Sequence, residues 1–198
     1  MADITAAMIK ELRDEVGVGI MDARAALTEA NGNAERAKAI LRRKGAATAE
    51  KKSGRATSQG LVEAYIHPGG RYGALVEVNC ETDFVARTDN FKELARDLAM
   101  HVTATNPLYV DLTNIPADEV EAKRRQLRQE ALDEGKPESV VDKMVDGRMK
   151  KYAEEVCLLD QPWVKDSEKT IRQRIQETVA STNENIQVRR FARYQLGE

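Results

Sequence analysis

Residues 60–79 read GLVEAYIHPGGRYGALVEVN, and how they are read decides the fold. Apolar and polar residues alternate on both sides of Pro68-Gly69-Gly70-Arg71, the pattern of two half-buried strands joined by a tight turn. Side chains alternate across a strand, so on the second strand Ala74, Val76 and Val78 point one way while Leu75 and Glu77 point the other. An antiparallel hairpin with one face against a core is therefore expected. Directly behind it comes NCETDFVAR (79–87), in which the chain leaves the strand, turns through polar residues and sets Phe84 after Asp83.

Leaving a Phe in water forgoes roughly 1.5–3 kcal/mol of burial, so Phe84 serves this chain's own core or another protein's. Thr82 is a good N-cap, which makes Asp83-Phe84-Val85 the first turn of a helix, with Asp83 favoured by the helix dipole. If that helix ran on unbroken, Phe84 would share a face with Phe91 and lie in the core. Thr88-Asp89-Asn90 is a second start signal, however, and predicts one short turn, a kink and then a long helix. A kink would free Phe84 to point outward. The residues permit both arrangements.

Outward from the hairpin, Phe91, Leu94, Ala95, Leu98 and Val102 form a core-facing stripe on the helix that Asn106-Pro107 stops. Pro116 opens a highly charged helix that ends at Gly135-Lys136-Pro137. A return helix carries Val141, Met144, Val145, Met149, Tyr152 and Val156, so 116–158 reads as an αα-hairpin. Gln161-Pro162-Trp163-Val164 is an extended connector, and Ser167 is the expected cap of a last helix with Ile171, Ile175 and Val179. Ile186, Val188, Arg190, Ala192 and Tyr194 alternate, predicting a strand that joins the hairpin.

Toward the N-terminus, Ile4, Met8, Ile9 and Leu12 form a helical stripe behind the cap candidate Asp3. Gly17-Val18-Gly19 breaks it, and Met21, Ala25, Ala26 and Leu27 restart it. A third short helix with Ala34, Ala37, Ile40 and Leu41 is expected to close at Gly45. Residues 46–58, AATAEKKSGRATS, read as a polar, basic connection with a boundary near Ser53-Gly54. The fold class is α+β: a three-helix domain at 1–53, then a core domain at 54–198 built on a small antiparallel sheet covered by helices.

Composition narrows the function. Of 198 residues, 41% are hydrophobic and 32% charged, which supplies a core and a strongly polar exterior. A net charge of -2 speaks against coating nucleic acid, and no apolar run approaches the ~20 residues that span a bilayer. The N-terminus reads as a helix start and not an export signal, so Cys80 and Cys157 are expected as reduced thiols in a cytoplasmic protein. With two histidines, no metal ligand set is expected. Phosphate-loop patterns are missing, and no cofactor is expected. Cys80 with His67 would make a nucleophile–base pair if the hairpin brought them together, but nothing supplies an orienting third group. The basic run Arg42-Arg43-Lys44 to Lys51-Lys52 and Arg55 lacks the interleaved aromatics that stack on bases, and reads as a solvated linker.

The ordered segments IKELRDEVGVGIMDARAALTEANGNAERAKAILRRKGA (9–46), LVEVNCETDFVAR (75–87), AMHVTATNP (99–107), EGKPE (134–138), MVDGRMKKY (144–152), QPWVKD (161–166) and NIQVRRFARYQLGE (185–198) resemble bacterial translation elongation factor Ts over essentially the whole chain. The resemblance implies a guanine nucleotide exchange factor for elongation factor Tu, which binds the Tu–GDP complex and promotes replacement of GDP by GTP, without chemistry of its own. It makes the N-terminal part a ubiquitin-associated-like domain. It assigns Thr82, Asp83, Phe84 and Val85 to the segment that disturbs the partner's magnesium site, and His101 to contact with another domain of that partner. Long members carry the core pattern twice. This chain has one copy and so resembles the short form, which implies a homodimer.

Overall fold

The computed structural model describes residues 4–198. β1 (Gln59–Ile66) and β2 (Tyr72–Cys80) form the expected hairpin, in register from Gln59 opposite Cys80 to Ile66 opposite Gly73. At its open end Gly60 has a φ of 144°, and a Cβ there would lie 2.1 Å from the Val78 carbonyl oxygen, so no other residue fits. β5 (Ile186–Gln195) pairs antiparallel with the other edge of β2, giving the order β1-β2-β5. The inward side chains of β2 are fully or almost fully buried, while Leu75 is exposed, as the alternation predicts.

After β2 come α4 (Asp83–Ala86) and α5 (Asp89–Thr105). All five stripe residues of α5 are buried against the sheet, together with Val76, Val78 and Cys80. Asn106 ends α5 in the left-handed region at φ 49°, a conformation asparagine tolerates. α6 (Ala117–Asp133) and α7 (Glu138–Val156) make the αα-hairpin, and Leu127 and Ala131 pack on Val141, Val145 and Met149. Arg124 bonds Asp146 at 2.5 Å, Arg148 bonds Glu134 at 2.7 Å and Arg128 pairs with Asp142. Such exposed pairs contribute about 0–1 kcal/mol each, so the hairpin's register rests on its apolar seam. At its base Tyr109 and Tyr152 both donate to Glu119.

Three expectations need correction. First, the third helix does not close at Gly45. α3 runs from Ala34 to Lys52, because its second half packs on α8 (Ile171–Thr182), with Gly45 buried beside Ala180. Helix propensity is a weak prior, and this contact overrides the glycine. Second, Ser167 lies in β4 (Asp166–Thr170), a short strand paired with β3 (Pro162–Trp163). The cap of α8 is Thr170, in a capping box with Gln173. Third, the strict alternation over 186–194 breaks. Glu77 pairs with Arg190 and Val78 with Val188, so Arg189 is a bulge residue. Ile186 and Val188 face the core, but Arg190, Ala192 and Tyr194 face out, and Phe191 turns in. α2 (Ile20–Glu29) restarts the helix as expected, with Ala23, Ala26 and Leu27 on its buried face and Met21 and Ala25 exposed.

α1 (Ala6–Val16), α2 and the first half of α3 enclose a separate core of Leu12, Leu27, Ile40, Leu41 and small residues. The cap candidate Asp3 lies outside the described residues; Thr5 accepts the Met8 N–H at the head of α1. Among the described residues no helix is long and apolar enough to cross a membrane.

Phe91 is fully buried at the centre of the sheet–helix core. Phe91→Ala is expected to destabilise the chain by about 3–5 kcal/mol. Urea unfolding followed by circular dichroism checks this; a loss below about 1 kcal/mol would remove Phe91 from the centre of the core.

Candidate functional site

Cys80 is the last residue of β2, and the chain turns sharply behind it. Thr82 is extended (φ -125°, ψ 154°), and its hydroxyl oxygen accepts the Val85 N–H at 3.3 Å, starting α4. That helix lasts one turn. Thr88 then caps α5 by accepting the Phe91 N–H, and its hydroxyl donates to the Val85 carbonyl at 2.8 Å. Two threonine caps six residues apart thus enforce the break that the sequence left open. Val85 and Ala86 are buried beneath the turn. Helical rotation then leaves Phe84 on the opposite side, 76% exposed, while Phe91 is wholly buried. Asp83, also exposed, accepts from Arg87 at 2.6 Å. Of the four residues assigned to this segment, Asp83 and Phe84 form the outer surface, Thr82 starts the turn and Val85 anchors it.

The corner is fixed from below by Glu184, which the sequence reading did not single out, and by its neighbours. Glu184, on the turn between α8 and β5, accepts from the Glu81 N–H (3.1 Å), the Thr82 N–H (3.0 Å) and the Thr82 hydroxyl (2.6 Å). In return, Glu81 accepts the Asn185 N–H at 2.6 Å. That bond first, then Arg55, holds the Glu81 carboxyl below its usual range. Lys52, at the end of α3, donates to the Asn183 carbonyl, and the Asn185 amide donates to the Ser53 and Arg55 carbonyls. A polar turn carries no periodicity, so no local signal marks these partners.

His101 lies elsewhere. It is wholly buried on the face of α5 that meets Gln161 and Val164. Its Nδ1 accepts the Val164 N–H at 3.3 Å, which leaves Nε2 to donate to Gln161 at 3.0 Å. Its imidazole reaches the exterior through Val164, which is exposed. The same β3–β4 ribbon is tied to α5 by Lys165, which donates to the buried Asp97 at 2.5 Å. The structure therefore does not bring His101 and the Phe84 corner together, and His101 underlies a surface without forming it.

The thiol reading fails on geometry. Cys80 pairs with Gln59 while His67 follows Ile66, so they sit at opposite ends of the hairpin, roughly 26 Å apart along the strand. Burial pushes the Cys80 thiol up to about 11, and it donates to the Thr82 carbonyl. Cys157 is likewise pushed up to about 11 by burial. The basic run is spent internally in part: Arg43 and Lys44 pair with Glu29, Lys52 is buried and Arg55 meets Glu81. Among the described residues no group of three or more His, Cys, Asp or Glu is placed to hold a metal ion.

The α+β core thus displays one aromatic ring on a short helix at its outer face. The family model described as "Elongation factor TS" matches residues 47–198. Proteins named elongation factor Ts are similar over nearly the whole chain. The one from Heliobacterium modesticaldum is 54% identical over 195 residues, covering 98% of this chain and 91% of the relative. That from Desulforamulus reducens is 52% identical over 198 residues, covering 100% and 91%. That from Desulfosudis oleivorans is 51% identical over 198 residues, covering 100% of both. The chain belongs to the elongation factor Ts family.

Burial lowers the His101 pKa from its ordinary 6.5, against the opposing hydrogen bond to Gln161. The folded chain then takes up this proton less readily than the unfolded one, so the stability from neutral His101 is full above pH 6.5 and declines as pH falls below it. Melting temperatures of the wild type should fall between pH 7 and pH 5, and His101→Asn should show a flatter profile over that window. Parallel profiles would refute a buried neutral imidazole.

Proposed function

We propose that the chain is a guanine nucleotide exchange factor for elongation factor Tu, acting in the cytoplasm during translation elongation and making or breaking no covalent bond. Family membership gives the class. The single observation that carries the mechanism is Phe84, 76% exposed on a turn whose backbone is held on both sides. In this reading Thr82, Asp83, Phe84 and Val85 press into the partner's nucleotide-binding domain and disturb its magnesium site. Magnesium tolerates little distortion of its octahedral shell, so a small displacement of its ligands loosens GDP.

The thermodynamics follow from linkage. A factor that binds the nucleotide-free partner more tightly than the GDP-bound one weakens GDP by the same ratio. Couplings of this kind are commonly ~1–3 kcal/mol, or about 5–150-fold. A rigid aromatic suits the task, because it gains on leaving water while forcing backbone apart. The three-helix unit at 1–53, taken as a ubiquitin-associated-like domain, supplies affinity and orientation to the core at 54–198. Ile20 and Met21 are exposed on its surface for that purpose. His101 acts on a second domain of the partner by holding the Val164 surface in shape. Neither nucleic acid nor membrane takes part directly.

We further infer that two chains pair through the outer face of the sheet. Val62, Ile66, Leu75, Tyr194 and Leu196 are all exposed there, and the pairing aligns Ile66, Gly73 and Tyr194 in one row and Ala64, Leu75 and Ala192 in the next. Contiguous apolar exposure of this kind marks an interaction surface.

Phe84→Ala should stay folded, with stability changed by less than about 0.5 kcal/mol. It should slow stimulated release of fluorescent GDP from elongation factor Tu by about tenfold or more. A folded variant with an unchanged rate would eliminate the wedge. For the pairing, sedimentation should find the wild type dimeric and Leu75→Glu monomeric. A wild-type monomer, or a variant that still pairs, would count against the sheet face.

A further inference from the structure

We infer that Glu184 is a positioning residue for Phe84: a carboxylate 102 residues downstream of Thr82 fixes the direction in which the exposed ring points. This rests on the wedge reading of Phe84 given above.

A four-residue helix has no stability of its own, since nucleating a helical turn is unfavourable and α4 is too short to recover that by propagation. The Phe84 ring, mostly in solvent, has little packing of its own to orient it. The direction of the ring is therefore set by the backbone at 81–85, and both N–H groups that enter the turn donate to one oxygen of Glu184. The other oxygen takes the Thr82 hydroxyl proton at 2.6 Å. A hydroxyl has one proton and two lone pairs. With its proton committed to Glu184, Thr82 turns a lone pair toward the Val85 N–H, which is the bond that starts α4. Glu184 thereby sets both the entry of the chain and the polarity of the cap.

The arrangement is not an ordinary surface ion pair, since these three partners of Glu184 are N–H and O–H donors and not a cation. Hydrogen bonds to a charged acceptor are about twice as strong as neutral ones. Glu184 is itself held: Asn183 before it adopts the left-handed conformation that ends α8, and Asn185 after it is buried and bonded to the Glu81 carboxylate and to the end of α3. The two turns grip each other through one carboxylate from each side. The sequence around the corner contains no hint of this partner.

The test compares Glu184→Ala, Glu184→Gln, Phe84→Ala and the double variant Phe84→Ala/Glu184→Ala in the full chain. Two measurements are made: amide hydrogen exchange over residues 81–86, and fluorescent-GDP release from elongation factor Tu as a function of factor concentration. Glu184→Ala is expected to speed exchange at 81–86. It should cut the maximal release rate about fivefold or more, with half-saturation moving less than about twofold. Glu184→Gln keeps the size and one acceptor oxygen and should recover part of the rate. Because Glu184 acts through Phe84, the double variant should be no slower than Phe84→Ala.

Unchanged exchange at 81–86 with Glu184→Ala would overturn the inference. So would a full maximal rate, a change confined to half-saturation, or a double variant slower than Phe84→Ala. If Glu184→Ala fails to fold, Glu184→Gln carries the same comparison, since wild-type exchange and rate in that variant with a slow Phe84→Ala would equally dismiss it. If Phe84→Ala releases GDP at the wild-type rate, the wedge itself falls; a slow Phe84→Ala beside a fast Glu184→Ala removes the positioning role alone.

Discussion

The structure depends on β2 being covered from three directions. β1 and β5 pair with its two edges, and α5 lies on its inner face, so Val76, Val78, Phe91, Leu94 and Leu98 are completely buried. A central strand saturated on both edges has no backbone donors left to offer elsewhere. The residues that follow it must therefore turn away from the sheet, and α5 must begin soon enough to come back over it. One helical turn fits in the space between. The exposed corner is a consequence of closing that core, and its position is as rigid as the packing that closes it.

Polar groups then adjust what apolar packing has placed. The corner is held by carboxylates exchanged between two turns, while the β3–β4 ribbon is held by His101, Asp97 and Lys165. In both places a buried or half-buried acceptor takes its donors from an element distant in sequence. Leaving such a group unpaired costs about 1–3 kcal/mol, so each anchor also selects against arrangements in which the two elements separate.

Much of this is legible in the residues and some is not. The hairpin and the α5 stripe are carried by local period and turn chemistry, which need no partner. The two threonine caps around Phe84 are visible as start signals, yet a spacing of seven to Phe91 argues for a shared face, and only the kink between Arg87 and Thr88 decides the matter. The length of α3 is hidden because an alanine- and lysine-rich stretch after Gly45 looks like a linker until α8 is laid against it. The bulge at Arg189 is hidden for a different reason: Arg189 and Arg190 are identical, and either could be the residue left without a partner. Glu184 is invisible because its meaning lies wholly in residues 81 and 82.

The unbroken course of α3 has a mechanical side. A helix of 19 residues is about 28 Å long. Its first half is built into one core and its second half is clamped along α8, so it is a beam between the exposed Ile20–Met21 pair and the body that carries the Phe84 corner. On the proposed function, a partner gripped at both places would have to match their spacing as well as their chemistry. A shape change in that partner that altered the distance between its two footholds would then be felt as strain at one of them. On that reading the span of the beam, a length fixed by counting residues, would itself help determine which shapes the chain holds tightly.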